Sequence, residues 1–283
     1  MGSTVTEERA LVSVIIPTKN RDAYLRQAID SIYTQTYRHF EIIVIDDGSS
    51  YDIKASLAGY DDRLHYYAQA AQGAAAARNH GLAKAKGEFV AFLDDDDLYL
   101  PARLERSVAA MGKHPDAVWL CSGFSFIDAK GAPLDRPPII PLKTEVTLHD
   151  IAMFTFISTP SVLARRKALL RACGFPEGVK VSEDYHTWAR VLALGKGLAL
   201  PEVLVRVRLH PGNTKLPCHA LLRENTRIID YLLTHYQPML MPRRHYIDNL
   251  YRIISENLRY KRKWLAYGCF HLHLFIRRAF DKG

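Results

Sequence analysis

Only four cysteines occur in the 283 residues, at positions 121, 173, 218 and 269, and none forms a CxxC pair. Such scattered thiols argue against a zinc site or a disulfide framework and for a reduced, cytoplasmic setting. The opening MGSTVTEERA is polar and lacks the apolar core of a signal peptide. No run approaches the roughly 20 apolar residues that a membrane-spanning helix needs. No G-x-G-x-x-G follows the first β-rich run, which argues against a dinucleotide oxidoreductase. The loop after that run, Pro17-Thr18-Lys19-Asn20-Arg21, also lacks the glycines with which a nucleotidyltransferase would cradle a triphosphate. There is no internal repeat, and the sole low-complexity stretch is Ala74–Ala77.

What is present suits a globular protein: 48% hydrophobic and 24% charged residues, enough to build one α/β domain of about 200 residues plus an appendage. The net charge of +8 is unevenly spread. Residues 221–283 hold 12 Lys/Arg against 5 Asp/Glu, whereas residues 1–220 are nearly neutral. A basic tail suits either an anionic partner or a solvated helical surface.

The first hundred residues alternate between strand and helix periodicity. Leu11–Ile16, Phe40–Ile45, Leu64–Tyr67 and Glu88–Leu93 are β-rich; Asp22–Gln35, Asp52–Leu57, Gly73–Lys86 and Pro101–Met111 have helical spacing, the last with proline at its first position. Such alternation predicts a mostly parallel sheet with helices on both faces, and ligands then bind beyond the carboxyl ends of the strands. Pro17, Asp47 and Asp94–Asp97 each follow a predicted strand. Further on, Ala117–Ile127 reads as one or two strands and Gly131–Pro141 as loop. Ser182–Leu194 reads as a helix with Ser182 placed to cap it, and Val203–Leu209 as a strand. From Cys218 the pattern is helical to the end, with a break near Pro238–Pro242.

Four consecutive aspartates repel one another and need a compensating cation. Their hard oxygens favour Mg²⁺ or Mn²⁺, and such an ion would also hold a diphosphate. The bland alternative is a solvated acidic turn at a helix start. Asp46-Asp47-Gly48-Ser49 is either a plain turn or a site where a carboxylate accepts from a nucleobase or ribose. Arg78 is either a surface residue or a diphosphate partner. Glu183 and Asp184 complement a helix dipole or supply a general base. His210 is either structural or a contact for phosphate or metal.

In combination these segments resemble family 2 glycosyltransferases of the GT-A fold. The resemblance runs through Val14-Ile15-Ile16-Pro17-Thr18-Lys19-Asn20-Arg21, Gln35-Thr36-Tyr37, Phe40–Ser49, Ala77-Arg78-Asn79-His80-Gly81, Gly87-Glu88-Phe89, Phe92–Asp97, Gly174-Phe175, Glu183-Asp184 and Arg208 with His210-Pro211-Gly212. It spans roughly residues 11–215, and the order and spacing of the motifs carry it. The resemblance implies an inverting, metal-dependent transferase acting on a nucleotide-diphosphate sugar, with UDP the expected nucleotide. It places Pro17, Thr18, Asn20, Asp47, Arg78, Asp94, Asp95 and His210 around the donor. Asp96 and Asp94 would hold Mn²⁺ or Mg²⁺, and Asp184 would be the base, with Glu183 second choice. Lys19 departs from the aromatic residue common at that position, and Cys173 from a glycine.

The implied organisation is a flexible N-terminus (1–10), a catalytic domain (11–215) and a helical basic region (216–283). Within the last, Trp264–Ile276 is flanked by Lys261-Arg262-Lys263 and Arg277-Arg278. That 261–278 segment suits an interfacial helix on the anionic inner face of the cytoplasmic membrane, or a helix packed on the catalytic domain or in a homodimer. The expected acceptor is a saccharide or lipid-linked molecule, as in bacterial surface-polysaccharide or glycoconjugate synthesis. Nucleic acid is not an expected partner. The rival readings are a degenerate nucleotide-sugar-binding module and a nucleotidyltransferase.

Overall fold

The computed structural model describes residues 10–152, 157–179 and 182–213, together with 226–227, 230–231 and 233–235. The first two strands are short apolar runs buried on both faces, as inner parallel strands require, while the third, at the sheet edge, is only partly buried. They are β1 (Val12–Thr18), β2 (Phe40–Asp47) and β3 (Leu64–Gln69), joined by the helix α1 (Asp22–Tyr33) and a 3₁₀ turn (Lys54–Leu57). Helix α1 turns Leu25, Ala28, Ile29 and Ile32 into the core, the stripe its spacing predicts. Then come α2 (Ala74–Lys84), β4 (Phe89–Phe92), the two-residue β5 (Leu98–Tyr99) and α3 (Arg103–Lys113).

The remaining elements are β6 (Ala117–Ile127), β7 (Glu145–Val146), α4 (Leu148–Ala152), β8 (Leu163–Arg165), α5 (Arg166–Arg171), α6 (Glu183–Leu192) and β9 (Lys196–Arg208). A single sheet runs β3-β2-β1-β4-β8-β6-β9-β5, with β7 paired to β9. The ladders among β3, β2, β1 and β4 are parallel, as is the long β6–β9 ladder. The short ladders β4–β8, β6–β8, β5–β9 and β7–β9 are antiparallel.

Several local expectations need correction. Pro101 is not the first residue of a helix; it lies in a turn, and α3 begins at Arg103. The start of α3 has no local cap, and Gln35 serves instead, its Oε1 accepting from Leu104 N at 2.9 Å. Ser182 stands at the head of α6 but with φ 60°, and its side chain makes no capping bond there. The segment expected as a strand at 203–209 is the second part of β9, which starts at Lys196. The loop 131–141 folds back onto β6 through single bridges at Ile139 and Pro133.

Glycine matters most at one packing contact. Gly81 faces β1, and a Cβ there would collide with the Ile15 side chain. Its bare backbone lets α2 lie directly on the strand. The chain divides into two units, 1–148 with 155–214 and 149–154 with 215–283. In the second unit the described residues between 226 and 235 are helical. The interfacial segment 261–278 expected from sequence lies outside the described residues. Among the described residues, no helix is long and apolar enough to cross a membrane.

Candidate active site

The parallel strands end together, and their ends form one wall of a cleft of about 620 Å³. Register fixes the alignment: Thr18 pairs with Asp46 across β1–β2, and Ile15 with Phe92 across β1–β4. The chain leaving each strand therefore enters the same space. Pro17, Thr18 and Asn20 come from β1, Asp47 from β2, Arg78 from α2, Asp94–Asp97 from the end of β4, and Glu183 from the start of α6. All of these line the cleft.

Asp95, Asp96 and Asp97 are buried, which would be prohibitive for unpaired charges. Two arginines meet them, and a third, Arg78, holds the neighbouring Asp94. Arg21 Nη1 donates to Asp95 Oδ1 at 3.1 Å and to Asp96 Oδ2 at 2.8 Å. Arg78 Nη2 donates to Asp94 Oδ1 at 2.8 Å and its Nη1 to Glu183 Oε1 at 2.9 Å. Arg208 sits under the acidic turn: its Nε donates to the Asp96 carbonyl at 2.7 Å and its backbone N to Asp97 Oδ1 at 2.8 Å. Burial still dominates at two aspartates. It pushes Asp95 up to about 6, despite the Thr18 hydroxyl and Arg21, and Asp97 well above the carboxylate range, helped by Asp94 and Asp96. For Arg78 burial opposes the charge, but Asp94 and Glu183 outweigh it and raise its proton affinity.

The aspartates fit a divalent ion. The described hydrogen bonds engage one oxygen each of Asp94 and Asp96, leaving Asp94 Oδ2 and Asp96 Oδ1 without a hydrogen bond among the described residues. Two hard oxygens, with substrate phosphates and water, make a site of the kind Mg²⁺ prefers. No group of three or more His, Cys, Asp or Glu side chains is preassembled for metal among the described residues. His210 is arranged as a donor. Gly212 N donates to its Nδ1 at 3.1 Å, so a neutral ring carries its proton on Nε2, which lies 2.9 Å from Asp96 Oδ2.

The family model for glycosyl transferase family 2 matches residues 13–170, more than half of the chain. The chain belongs to glycosyl transferase family 2. It is 32% identical over 214 residues to an uncharacterized glycosyltransferase of Rickettsia typhi, covering 72% of this chain and 65% of that protein. It is 31% identical over 210 residues to TuaG of Bacillus subtilis, a putative teichuronic acid biosynthesis glycosyltransferase, covering 72% and 81%. Thus it spans a little under two thirds of the rickettsial relative's length. Among solved structures, it resembles S. aureus TarS 1-349 in complex with UDP-GlcNAc, with a TM-score of 0.68 at 22% identity over 88% of this chain and 72% of that one. It also resembles mannosyltransferase PcManGT of Pyrobaculum calidifontis, in complex with GDP-Man and Mn²⁺, with a TM-score of 0.60 at 18% identity over 98% and 89%. The fold is GT-A.

Not every expected site residue of this family 2 chain reaches the cleft in the same way. Asn20, at φ 56°, turns its side-chain oxygen to Ser50 N and Oγ and so shapes the neighbouring loop. Asp47 accepts from Gln69 Nε2, Gln72 N and Gly73 N, each at 2.8 Å, and fixes the entry to α2. Both guanidinium ends of Arg78 are committed to carboxylates. Asp184 is half-buried beside Glu183; its Oδ2 accepts from Thr159 Oγ1 and its Oδ1 from Tyr185 N, both at 2.9 Å. Burial and the neighbouring Glu183 charge push Asp184 up to about 6, against Arg78 and the Thr159 hydroxyl. Sequence reasoning missed Arg21, Arg208 and Thr159 as site residues. The need for cations beside four aspartates was a signal for the two arginines; nothing in the sequence pointed to Thr159.

Proposed function

We propose that this chain is an inverting, metal-dependent glycosyltransferase that moves a sugar from a nucleotide-diphosphate donor, with UDP as the nucleotide, to a hydroxyl of a saccharide or lipid-linked acceptor. The observation that carries the reading is the cleft itself: six carboxylates, at Asp47, Asp94–Asp97 and Glu183, line it with only three cationic side chains, at Lys19, Arg21 and Arg78. A divalent ion and a diphosphate together suit that imbalance. In this reading Pro17, Thr18, Asn20, Asp47, Arg78, Asp95 and His210 frame the donor, and Asp96 with Asp94 holds Mn²⁺ or Mg²⁺. The ion, when bound, supplies positive charge to the departing diphosphate.

Asp184 is the base. It takes the proton of the acceptor hydroxyl, whose oxygen bonds to the anomeric carbon from the face opposite the leaving group. The bond from that carbon to the phosphate oxygen breaks, and its electron pair departs with the nucleoside diphosphate. An α-linked donor gives a β-linked product, with no sugar–enzyme intermediate. A base whose proton affinity lies near 6 is charged at neutral pH yet still basic enough to act. Glu183 accepts from Arg78 at 2.9 Å and lines the cleft on the donor side.

In this reading the catalytic domain is 11–215, and the basic segment 216–283 serves contact with an anionic membrane surface or a second subunit. The names of TuaG and the TarS complex support a role in surface-polysaccharide synthesis and a UDP-linked donor. Calorimetric titration with UDP, GDP, TDP and CDP, each with Mn²⁺ and with EDTA, tests the donor side. One nucleotide should bind with Mn²⁺ and fail with EDTA. Binding of none of them would remove the metal-dependent reading.

A further inference from the structure

The acceptor-side carboxylate is held by a segment far from it in sequence. Thr159 is buried and opens a 3₁₀ turn, Thr159–Ser161, closed by Ser161 N and Oγ on the Ser158 carbonyl at 2.8 and 2.6 Å and by Val162 N on the Thr159 carbonyl at 3.1 Å. Pro160 fixes the backbone at its centre. The turn runs straight into β8, which pairs antiparallel with β4, Leu163 opposite Ala91. Residues just before Leu163 therefore lie beside Phe92 and Leu93, which lead into the acidic turn. Two hydrogen bonds then join this segment to the first turn of α6: Thr159 Oγ1 to Asp184 Oδ2 at 2.9 Å, and Ile157 N to the Tyr185 hydroxyl oxygen at 3.2 Å.

We propose that Thr159 is a positioning residue for Asp184, orienting its carboxylate and stabilising its charged form, and that β8 carries it there so that base and donor aspartates share one rigid frame. The proposal rests on Asp184 being the base. A hydroxyl that donates to a carboxylate favours the ionised state, so its loss makes the proton harder to remove. The other groups that act on Asp184 are Glu183 and Tyr185 on its own helix and Arg78 from α2; the turn itself contributes no titratable side chain. Glu183 pushes the proton affinity up and Arg78 pulls it down, and neither is touched by a change at position 159.

The test is a ¹³C NMR titration of carboxyl carbons in aspartate-labelled full-length protein, with Asp184→Asn identifying the resonance. Thr159→Val keeps the side-chain shape and should move the Asp184 midpoint up by about one pH unit, the size expected for one hydrogen bond to a charged group. Thr159→Ser should restore it to within a few tenths of the parent. An unmoved midpoint in Thr159→Val, or no restoration by Thr159→Ser, would overturn the proposal. Release of UDP from UDP-GlcNAc with Mn²⁺, compared between the parent and Asp184→Asn, tests the base separately. Equal release would remove the base assignment, and the positioning role with it, even if the midpoint moved as expected.

Discussion

Two acidic turns leave the same edge of the sheet, one after β2 and one after β4, and different chemistry holds them. Asp46 and Asp47 are met by neutral donors: Ser49 N, the Tyr66 hydroxyl, Gln69 Nε2, and the backbone of Gln72 and Gly73. Asp94, Asp95 and Asp96 are met by guanidinium groups, and two of them keep an oxygen facing no hydrogen-bond donor among the described residues. Neutral donors fix a shape and leave the charge in place. Cations balance part of a charge and leave the remainder for a ligand. The first turn therefore shapes the floor on which a nucleotide would rest, and the second supplies the electrostatics that would hold its phosphates.

If that contrast is right, changes in the two turns separate cleanly. The largest effect is expected at Asp96→Asn, which should lower UDP release from a UDP-sugar by about a thousandfold and abolish the Mn²⁺ dependence of UDP binding in calorimetry. Asp184→Asn should lower transfer by about a hundredfold, within the range of a lost general base, while UDP binding with Mn²⁺ stays within about twofold. Asp47→Asn should act on shape. An amide group presents a donor where three donors already converge, so urea denaturation should show a loss of about 1–2 kcal/mol, with UDP affinity falling about tenfold. A loss of Mn²⁺ dependence in Asp47→Asn would break the comparison.

The smallest effect concerns pH. Asp184 has an ordinary value of 3.8 and stands at about 6 in the folded chain. The folded state thus holds this proton more tightly than the unfolded one. Its contribution to stability is present below about pH 4 and is lost as pH rises towards about 6. Transfer should move the opposite way, rising through about pH 6 as the base ionises. Stability curves of the parent and Asp184→Asn between pH 4 and 7 should differ in slope over that window; parallel curves would remove this assignment.

The first half of the sheet was legible because each of its elements announces itself locally. Val14–Pro17 and Phe40–Asp47 are apolar runs closed by turn residues, α1 repeats its apolar positions at helical spacing, and Asp94–Asp97 interrupts a buried strand at its end. The second half was read less well. β5 and β8 have two and three residues, too short for any periodicity, and exist because neighbouring strands accept them. The site follows the same division. Asp47, Arg78, Asp94, Asp96 and Glu183 line the cleft from the ends of local motifs, yet Arg208 and Thr159 depend on strand order across 25 or more positions of sequence, which no local pattern encodes. Asn20 lines the cleft with its side-chain oxygen turned to Ser50, a pairing set by loop geometry.

The close seating of α2 on β1 has a consequence for how substitutions propagate. Gly81 stands one helical turn beyond Arg78, and the helix rests on Ile15 with no methyl group between them. Arg78 spans two carboxylates on different segments at ordinary hydrogen-bond lengths, so it has little slack in either direction. An alanine at 81 would lift the helix by a fraction of a side chain and carry the guanidinium with it, loosening the link between the acidic turn and the head of α6. Position 81 thus sets the gauge of a site it never touches, and a survey of inactivating substitutions should find it among residues that bind nothing.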